Sequence, residues 1–402
     1  MIFHQPHIEG EELLHHFDFL PDYGWAGYCT LIADCRNDTY LMDIAETYAD
    51  DFWAYRDKVR REYGFTAVAE KHINGNSFIT LQNDSHNVTL IYIPSKANVR
   101  IIVEPKRDLP ANEVSPYERI CKSELVMVGS KKGGSMTFIL RLADGRFILV
   151  DGGCEHSSAD TVLNILKKMA PEPDNITIAA WIITHTHGDH TGAFYGMAER
   201  HLGEVKIENL IYNFPCRQQG ELPNQCLANS SDNIEKTIAE AYPDVPIYKP
   251  HPGWTFHFAN LDIEILSTHE LHYPPMPAIK NDCCLVMRWV IDGQVIMLPA
   301  DGSFVSNHTI AHMYGTYLRC DILQADHHGN FGGTTEINTL FSPQTVLYLC
   351  PEDDFYNRFQ YSDYNICLLN NPNFKEFIVQ GDKIIAMPLP YTPGSSYTLG
   401  KF

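Results

Sequence analysis

Apolar residues recur at helical spacing from Tyr40 to Tyr63, and basic residues gather toward the end of that run, which predicts a helix. Strand-like runs follow at Phe65–His72, Ser77–Gln82, Asn87–Ile93 and Val99–Glu104, separated by the turn signals Asn-Gly-Asn and Asn-Asp-Ser. A small α+β domain over residues 1–115 accounts for this pattern. The proline-rich, charged stretch Pro105–Pro116 reads as its linker to the rest of the chain.

From about Cys121 the pattern changes to strands alternating with helices. Leu125–Val128, Met136–Leu140 and Phe147–Val150 read as strands, with Asp144-Gly145 turning the second into the third. A helix at Ala159–Met169 leads to the strand Ile176–Ile183. Helices at Gly192–His201 and Ser231–Ala241 precede a β-rich stretch, Pro246–Ser267. The hairpin Leu285–Ile291 with Gln294–Leu298 turns at Asp292-Gly293. A helix at His308–Tyr317, the strand Asp321–Gln324, a helix near Thr335–Phe341, the strand Thr345–Cys350 and a last pair around Gly381-Asp382 complete an α/β pattern over residues 121–402.

The strand Ile176–Ile183 runs directly into Thr184-His-Thr-His-Gly-Asp-His190, which places four ligand-type side chains within six positions. Loops at strand C-termini are the usual place for a site in α/β proteins. Imidazole and carboxylate suit zinc, iron and manganese. In an extended chain His185, His187 and Asp189 share one face, and a turn at Gly188 lets Asp189 and His190 reach a second point. Two adjacent ions follow, one on His185 and His187, the other on Asp189 and His190.

Later strand ends supply further ligands. Asp301 follows the apolar run Gln294–Leu298 and is placed to bridge two cations roughly 3.5–4 Å apart. The strand Asp321–Gln324 runs into Asp326-His327-His328-Gly329. Adjacent residues of an extended chain face opposite ways, so only one of the two histidines is expected on the ion. His327 is the expected ligand, with His328 outside it. A third histidine for the first ion has four candidates, His251, His257, His269 and His272. His269, just past the strand Leu261–Leu266, is preferred; the alternative leaves that ion with His185, His187, Asp301 and water.

Composition narrows the partners. Acidic residues outnumber basic ones 50 to 30, which disfavours long DNA or RNA, whose affinity rests on phosphate neutralisation. A small-molecule substrate is expected. No run of 18 or more apolar residues suggests a membrane span, and Met1–Glu12 lacks the basic and apolar regions of a secretory signal, so the expected location is cytoplasmic. Eleven cysteines without a Cys-x-x-Cys pair fit neither a disulfide framework nor a thiolate zinc knuckle. Cys154, Cys283 and Cys284 are accordingly read as reduced thiols. Ser130–Ser135 lacks the spacing of a phosphate-binding loop and reads as a turn. Ser267, Thr268, Asn281 and Asp282 are candidates for lining the pocket. The aromatic-rich N-terminal domain could cap the site or join copies into a homo-oligomer.

The ordered set Phe147-Ile-Leu-Val-Asp151-Gly-Gly, Thr184-His-Thr-His-Gly-Asp-His-Thr-Gly192, Asp301 at a strand end and His327-His328-Gly329 resembles the metallo-β-lactamase superfamily. Asn281-Asp-Cys-Cys-Leu-Val-Met-Arg288 and the late His-His-Gly are similar to the branch containing the hydrolase domain of bacterial competence (DNA-uptake) proteins. The resemblance covers roughly residues 122–350. Its later motif departs from that branch, with Pro299-Ala300-Asp301-Gly302 where Gly-Asp-Ala or Gly-Asp-Gly is usual, and the branch often lacks the third histidine.

The resemblance implies an αββα sandwich holding two divalent ions, most simply zinc with iron or manganese as alternatives. The ligands it implies are His185, His187, Asp189, His190, Asp301 and His327, with Asp151 orienting a ligand histidine from behind. The expected function is hydrolysis by metal-held hydroxide. Asp189 would orient the nucleophile or pass its proton, and a small phosphodiester or phosphate ester is the first choice of substrate. Amide, lactone or thioester hydrolysis on the same site, a di-iron redox centre and a non-catalytic metal-binding protein are the alternative readings.

Overall fold

The computed structural model describes residues 9–22, 28–129, 134–215, 226–272 and 280–402. Three sheets organise them. The first 105 residues supply an antiparallel sheet in the order Cys29–Asp34, Tyr40–Ile44, Asn98–Pro105, His86–Ile93, Asn76–Gln82, Thr66–Ile73. The helix α1 is confined to Ala49–Glu62. The longer helix expected over Tyr40–Tyr63 is therefore corrected at its start, where Tyr40–Ile44 is a strand paired on both sides. Its alternating burial satisfies a sheet as well as a helix, and Glu46, at φ 53°, breaks the chain between the two elements.

Beyond residue 121 two sheets lie face to face. The first runs Ile247–Tyr248, Leu210–Ile211, Thr177–Ile182, Phe147–Asp151, Thr137–Arg141, Glu124–Val128, Lys383–Pro388, Tyr397–Lys401, with Lys206–Ile207 also on Thr177–Ile182. The second runs Thr255–Phe258, Leu261–Ser267, Val286–Ile291, Gln294–Leu298, Ile322–Gln324, Thr345–Tyr348, Glu376–Val379. Alternation along the strands explains the layering. Met127, Phe138, Leu140, Ile148, Val150 and Ile182 turn inward and pack in one core with Ile263, Ile265, Met287, Trp289 and Leu298 of the second sheet. Their neighbours Val126, Ile139, Phe147, Leu149 and Trp181 turn outward into a second core. That core is completed by α2 (Ser158–Met169), α3 (Gly188–Arg200) and α4 (Cys226–Ala241). Helices α5 (Phe304–Tyr314) and α6 (Thr335–Phe341) add Ile310, Met313, Ile337 and Phe341 to the inner core. The result is the mixed α/β sandwich that the motifs imply. No helix among the described residues is long and apolar enough to cross a membrane.

Close packing of α3 depends on a glycine. A Cβ on Gly196 would stand 1.9 Å from the His156 carbonyl oxygen and 2.8 Å from the Ala159 Cβ. The usual gain from replacing a helix glycine with alanine is thereby reversed. Gly196→Ala is expected to lower stability by about 1–3 kcal/mol, read as a lower midpoint in denaturant unfolding; an unchanged midpoint would refute the close approach.

The N-terminal sheet has two occupied faces. One covers α1 and a local core of Phe52, Val59, Ile79, Leu81 and Leu90. The other contributes Leu41, Ile73, Phe78, Ile91 and Ile102 to the inner core of the sandwich, beside Trp254 and Phe256. Polar contacts follow the same seam. Trp254 Nε1 donates to Thr80 Oγ1 at 3.1 Å, and Lys71 pairs with Glu264. At its end Asn74 and Asn76 donate through Nδ2 to the Met313 carbonyl at 2.9 and 2.6 Å, which occupies one of the open carbonyls in the last turn of α5.

Candidate metal centre

Each sandwich sheet delivers ligand-type residues from two adjacent parallel strands. In the first sheet Phe147–Asp151 ends in Asp151, and its parallel neighbour Thr177–Ile182 runs on to His185 and His187. In the second, Gln294–Leu298 leads to Asp301, and its parallel neighbour Ile322–Gln324 leads to His327 and His328. The ends of the sheets are tied together by Leu285 N, which donates to the Thr184 carbonyl at 3.0 Å, and within the second sheet His327 N donates to the Ala300 carbonyl at 3.0 Å.

Two groups of side chains converge there: His185, His187 and Asp301 in one, and Asp189, His190, Asp301 and His328 in the other. Asp301 belongs to both, as a bridging carboxylate would. Its side chain is buried, and Oδ2 lies 3.2 Å from His190 Nε2, 3.5 Å from His328 Nε2 and 3.7 Å from His185 Nε2. Its Oδ1 is buried with no hydrogen-bond partner. Asp189 Oδ2 stands 3.2 Å from His328 Nε2 and 3.8 Å from His190 Nε2. His185, His190, His328 and Asp301 are buried, while His187, Asp189 and His327 are partly exposed, so the cluster opens on their side.

The outer ring nitrogens decide which atoms face inward. His190 Nδ1 lies 2.7 Å from Asp151 Oδ2. His185 Nδ1 is 3.1 Å from Thr184 Oγ1, and that hydroxyl donates to Asp151 Oδ2 at 2.8 Å. His328 Nδ1 meets the Leu349 carbonyl at 3.0 Å. With each Nδ1–H donated outward, each Nε2 faces the Asp301 carboxylate and, in the neutral ring, presents a lone pair there, an arrangement that a cation between them completes. His185 Nε2 and His187 Nδ1, 3.0 Å apart, repel as lone pairs unless they share a proton or a cation.

Charge supports the fit. Burial opposes a proton on His190, yet the Asp301 and Asp151 carboxylates outweigh it and hold its pKa well above the ordinary value. Burial likewise opposes the His328 proton, but Asp301 and Asp189 push its pKa up to about 9. Burial would raise Asp189, whereas the hydrogen bond with His328 and the charge of His190 hold it well below the usual carboxylate range. Protons on these imidazoles supply positive charge that a divalent ion would bring instead.

Asp151, fully buried, receives Thr184 N at 2.8 Å as well as the Thr184 hydroxyl and His190. Asp151→Ala would strand these donors in the core. A stability loss of about 3–5 kcal/mol is expected, together with metal affinity weakened roughly 10–100-fold. Unfolding and metal titration of the variant check both; wild-type affinity would show that Asp151 does not act through His190.

Other expected ligands fall outside the two groups. His328 takes the place expected for His327. The alternation rule fails because both residues have left-handed backbones, at φ 59° and 46°, within a tight turn rather than an extended chain. His327 stays at the rim, its Nε2 3.8 Å from Asp301 Oδ2 and 3.3 Å from Asn281 Nδ2. His269 lies in the turn His269–His272, where its Nε2 meets Asn213 Oδ1 at 3.2 Å. The remaining histidine candidates are engaged with other groups: His251 with Glu270 at 2.8 Å, His257 with Asp262 at 2.6 Å and His272 with Ser267 at 3.0 Å. Among the described residues neither Cys154 nor Cys283 nor Cys284 joins a ligand group; Cys284 Sγ donates to the Pro299 carbonyl. Asp282, a candidate for lining the pocket, accepts from Ser303 Oγ and Ser306 N at the start of α5. Residues 130–133 of the Ser130–Ser135 tract lie outside the described residues. The role of Thr184 has one signal in the sequence, a hydroxyl between the strand and the first histidine.

Residues 131–273 match the family model of the Metallo-beta-lactamase superfamily. No curated protein matches the chain. Solved structures that match the chain include CmlA, a diiron β-hydroxylase from Streptomyces venezuelae, at 13% identity and a TM-score of 0.40, covering 69% of this chain and 55% of CmlA. The chain thus spans about half the length of that protein. Igni18, a metallo hydrolase from Ignicoccus hospitalis, matches at 13% identity and a TM-score of 0.39, covering 66% of this chain and 99% of Igni18. Yeast PDE1 matches at 13% identity and a TM-score of 0.40, covering 65% and 99%. The matched segment contains Asp151 and the run from His185 to His190, and over those residues the chain is similar to the metallo-β-lactamase superfamily.

Proposed function

We propose that the protein is a metal-dependent hydrolase that acts on a small phosphodiester or phosphate ester. The observation that carries this reading is the inward aim of His185, His190 and His328 at a shared, buried Asp301. His185, His187 and Asp301 would hold one ion, and Asp189, His190, Asp301 and His328 the other. Two such ions supply Lewis acidity and a water that ionises near neutral pH.

The chain's own groups do the rest. Thr184 and Asp151 keep the His185 and His190 rings in one tautomer. Asp189, at the open side with its carboxylate held ionised, orients the attacking water and takes up its proton. His327, at the rim, would contact a substrate oxygen, and the buried Asn281 beside it would hold its ring. The net charge of −20 favours a small, compact ester over a polymer. The phosphoester preference also rests on the likeness of Asn281–Arg288 and His327-His328-Gly329 to the competence-protein branch.

The test is a chelated protein reloaded with zinc, manganese or iron and assayed on phosphodiester, phosphomonoester, lactone and thioester probes. Phosphodiester hydrolysis that vanishes on chelation and returns with two metal equivalents is expected. Cleavage of the lactone or thioester alone would replace the substrate class. A coloured iron protein without hydrolytic activity on any probe would overturn the reading in favour of redox chemistry.

A further inference from the structure

A second group of metal-ligand side chains lies on the surface, apart from the residues of the internal centre. His308 and His312 stand four residues apart on α5, so both project from one helix face. Their rings are 4.4 Å apart between centroids. Glu336, in the first turn of α6, faces both: Oε2 is 3.4 Å from His308 Nδ1 and Oε1 is 3.7 Å from His312 Nε2. One ligand atom from each residue falls within 4.8 Å of the others, and all three side chains are exposed. Two imidazoles and a carboxylate make up a three-residue zinc set whose remaining position water fills.

We propose that His308, His312 and Glu336 form a surface binding site for a zinc-class divalent cation that clamps α5 to α6. Its position gives the clamp a consequence. The helix α5 begins three residues after Asp301, and α6 begins seven residues after His328. Asn307, beside His308, already donates to the Gly332 carbonyl at 2.6 Å, so the two helix starts are joined beneath the site. A cation there braces the two loops that bring Asp301 and His328 into the internal cluster.

The site is tested by counting metal. Full-length wild-type protein and the H308A/H312A double variant are dialysed against micromolar zinc, freed of excess and analysed for zinc per chain. Alanine suits both exposed helix positions, so the variant is expected to fold. Wild type should hold one equivalent more than the variant, whatever number the internal centre takes. Glu336→Gln should bind the surface ion at least tenfold more weakly in titration against a chromophoric chelator. Added zinc should also raise the thermal midpoint of wild type above that of the double variant. Equal stoichiometry in wild type and the double variant overturns the proposal, as does unchanged affinity in Glu336→Gln.

Discussion

Replacement of Asp301 by alanine is expected to empty the internal centre and lower hydrolysis by on the order of 10³-fold or more. The magnitude follows from the position. Its carboxylate is shared by both ligand groups, so on the proposed two-ion reading its loss would remove a ligand from each ion at once. The Lewis-acid stabilisation it supports is worth several kcal/mol, and each 1.36 kcal/mol is tenfold in rate. Alanine also leaves the buried His190 and His328 rings without the anion that balances them, so the metal-free variant should unfold more readily than the metal-free wild type. Elemental analysis and rates with excess metal check the claim. If two equivalents are retained with an undiminished rate, Asp301 is not the bridge.

Asp189→Asn separates binding from chemistry. Asp189 belongs to only one ligand group, and its side chain is 34% exposed. The amide keeps its shape and one coordinating oxygen but cannot accept a proton. Turnover is expected to fall about 10²–10⁴-fold, the usual contribution of a positioned acid or base. Metal content and thermal midpoint should stay near wild type. A variant that turns over normally would remove Asp189 from the mechanism while leaving the metal centre intact.

The centre was legible in the sequence to different depths, for physical reasons. Four ligand-type residues between His185 and His190 announce themselves because local spacing alone brings them together. Asp301 could be found because an apolar strand ends just before it. The choice between His327 and His328 failed because it rested on extended geometry. Asp151, Ala300, His327 and His328 all have φ between 46° and 59°. Residues without a glycine's freedom hold such backbones at a cost of order 1–3 kcal/mol each, and no propensity signals them. His269 sits past a strand end as the other ligands do, yet its turn carries it to Asn213, a partner 56 residues away in sequence. The Leu349 carbonyl that fixes the His328 ring is equally invisible before folding. In the N-terminal region the strands from Phe65 onward were readable. Tyr40–Ile44 was not, because its sheet partners, not its own pattern, decide its state.

The asparagine contacts at the end of α5 bear on how the protein can be altered. The helix is held at its far end by Asn74 and Asn76, and its near end follows Asp301. A rod pinned at both ends transmits displacement rather than absorbing it. The turn at Ile73–Asn76 thus acts as a remote set-screw on the loop that carries the shared carboxylate. Trimming the chain to the sandwich would release that screw along with the apolar face beneath it, and the spacing of the two side-chain groups around Asp301 would loosen before any of their residues had been touched.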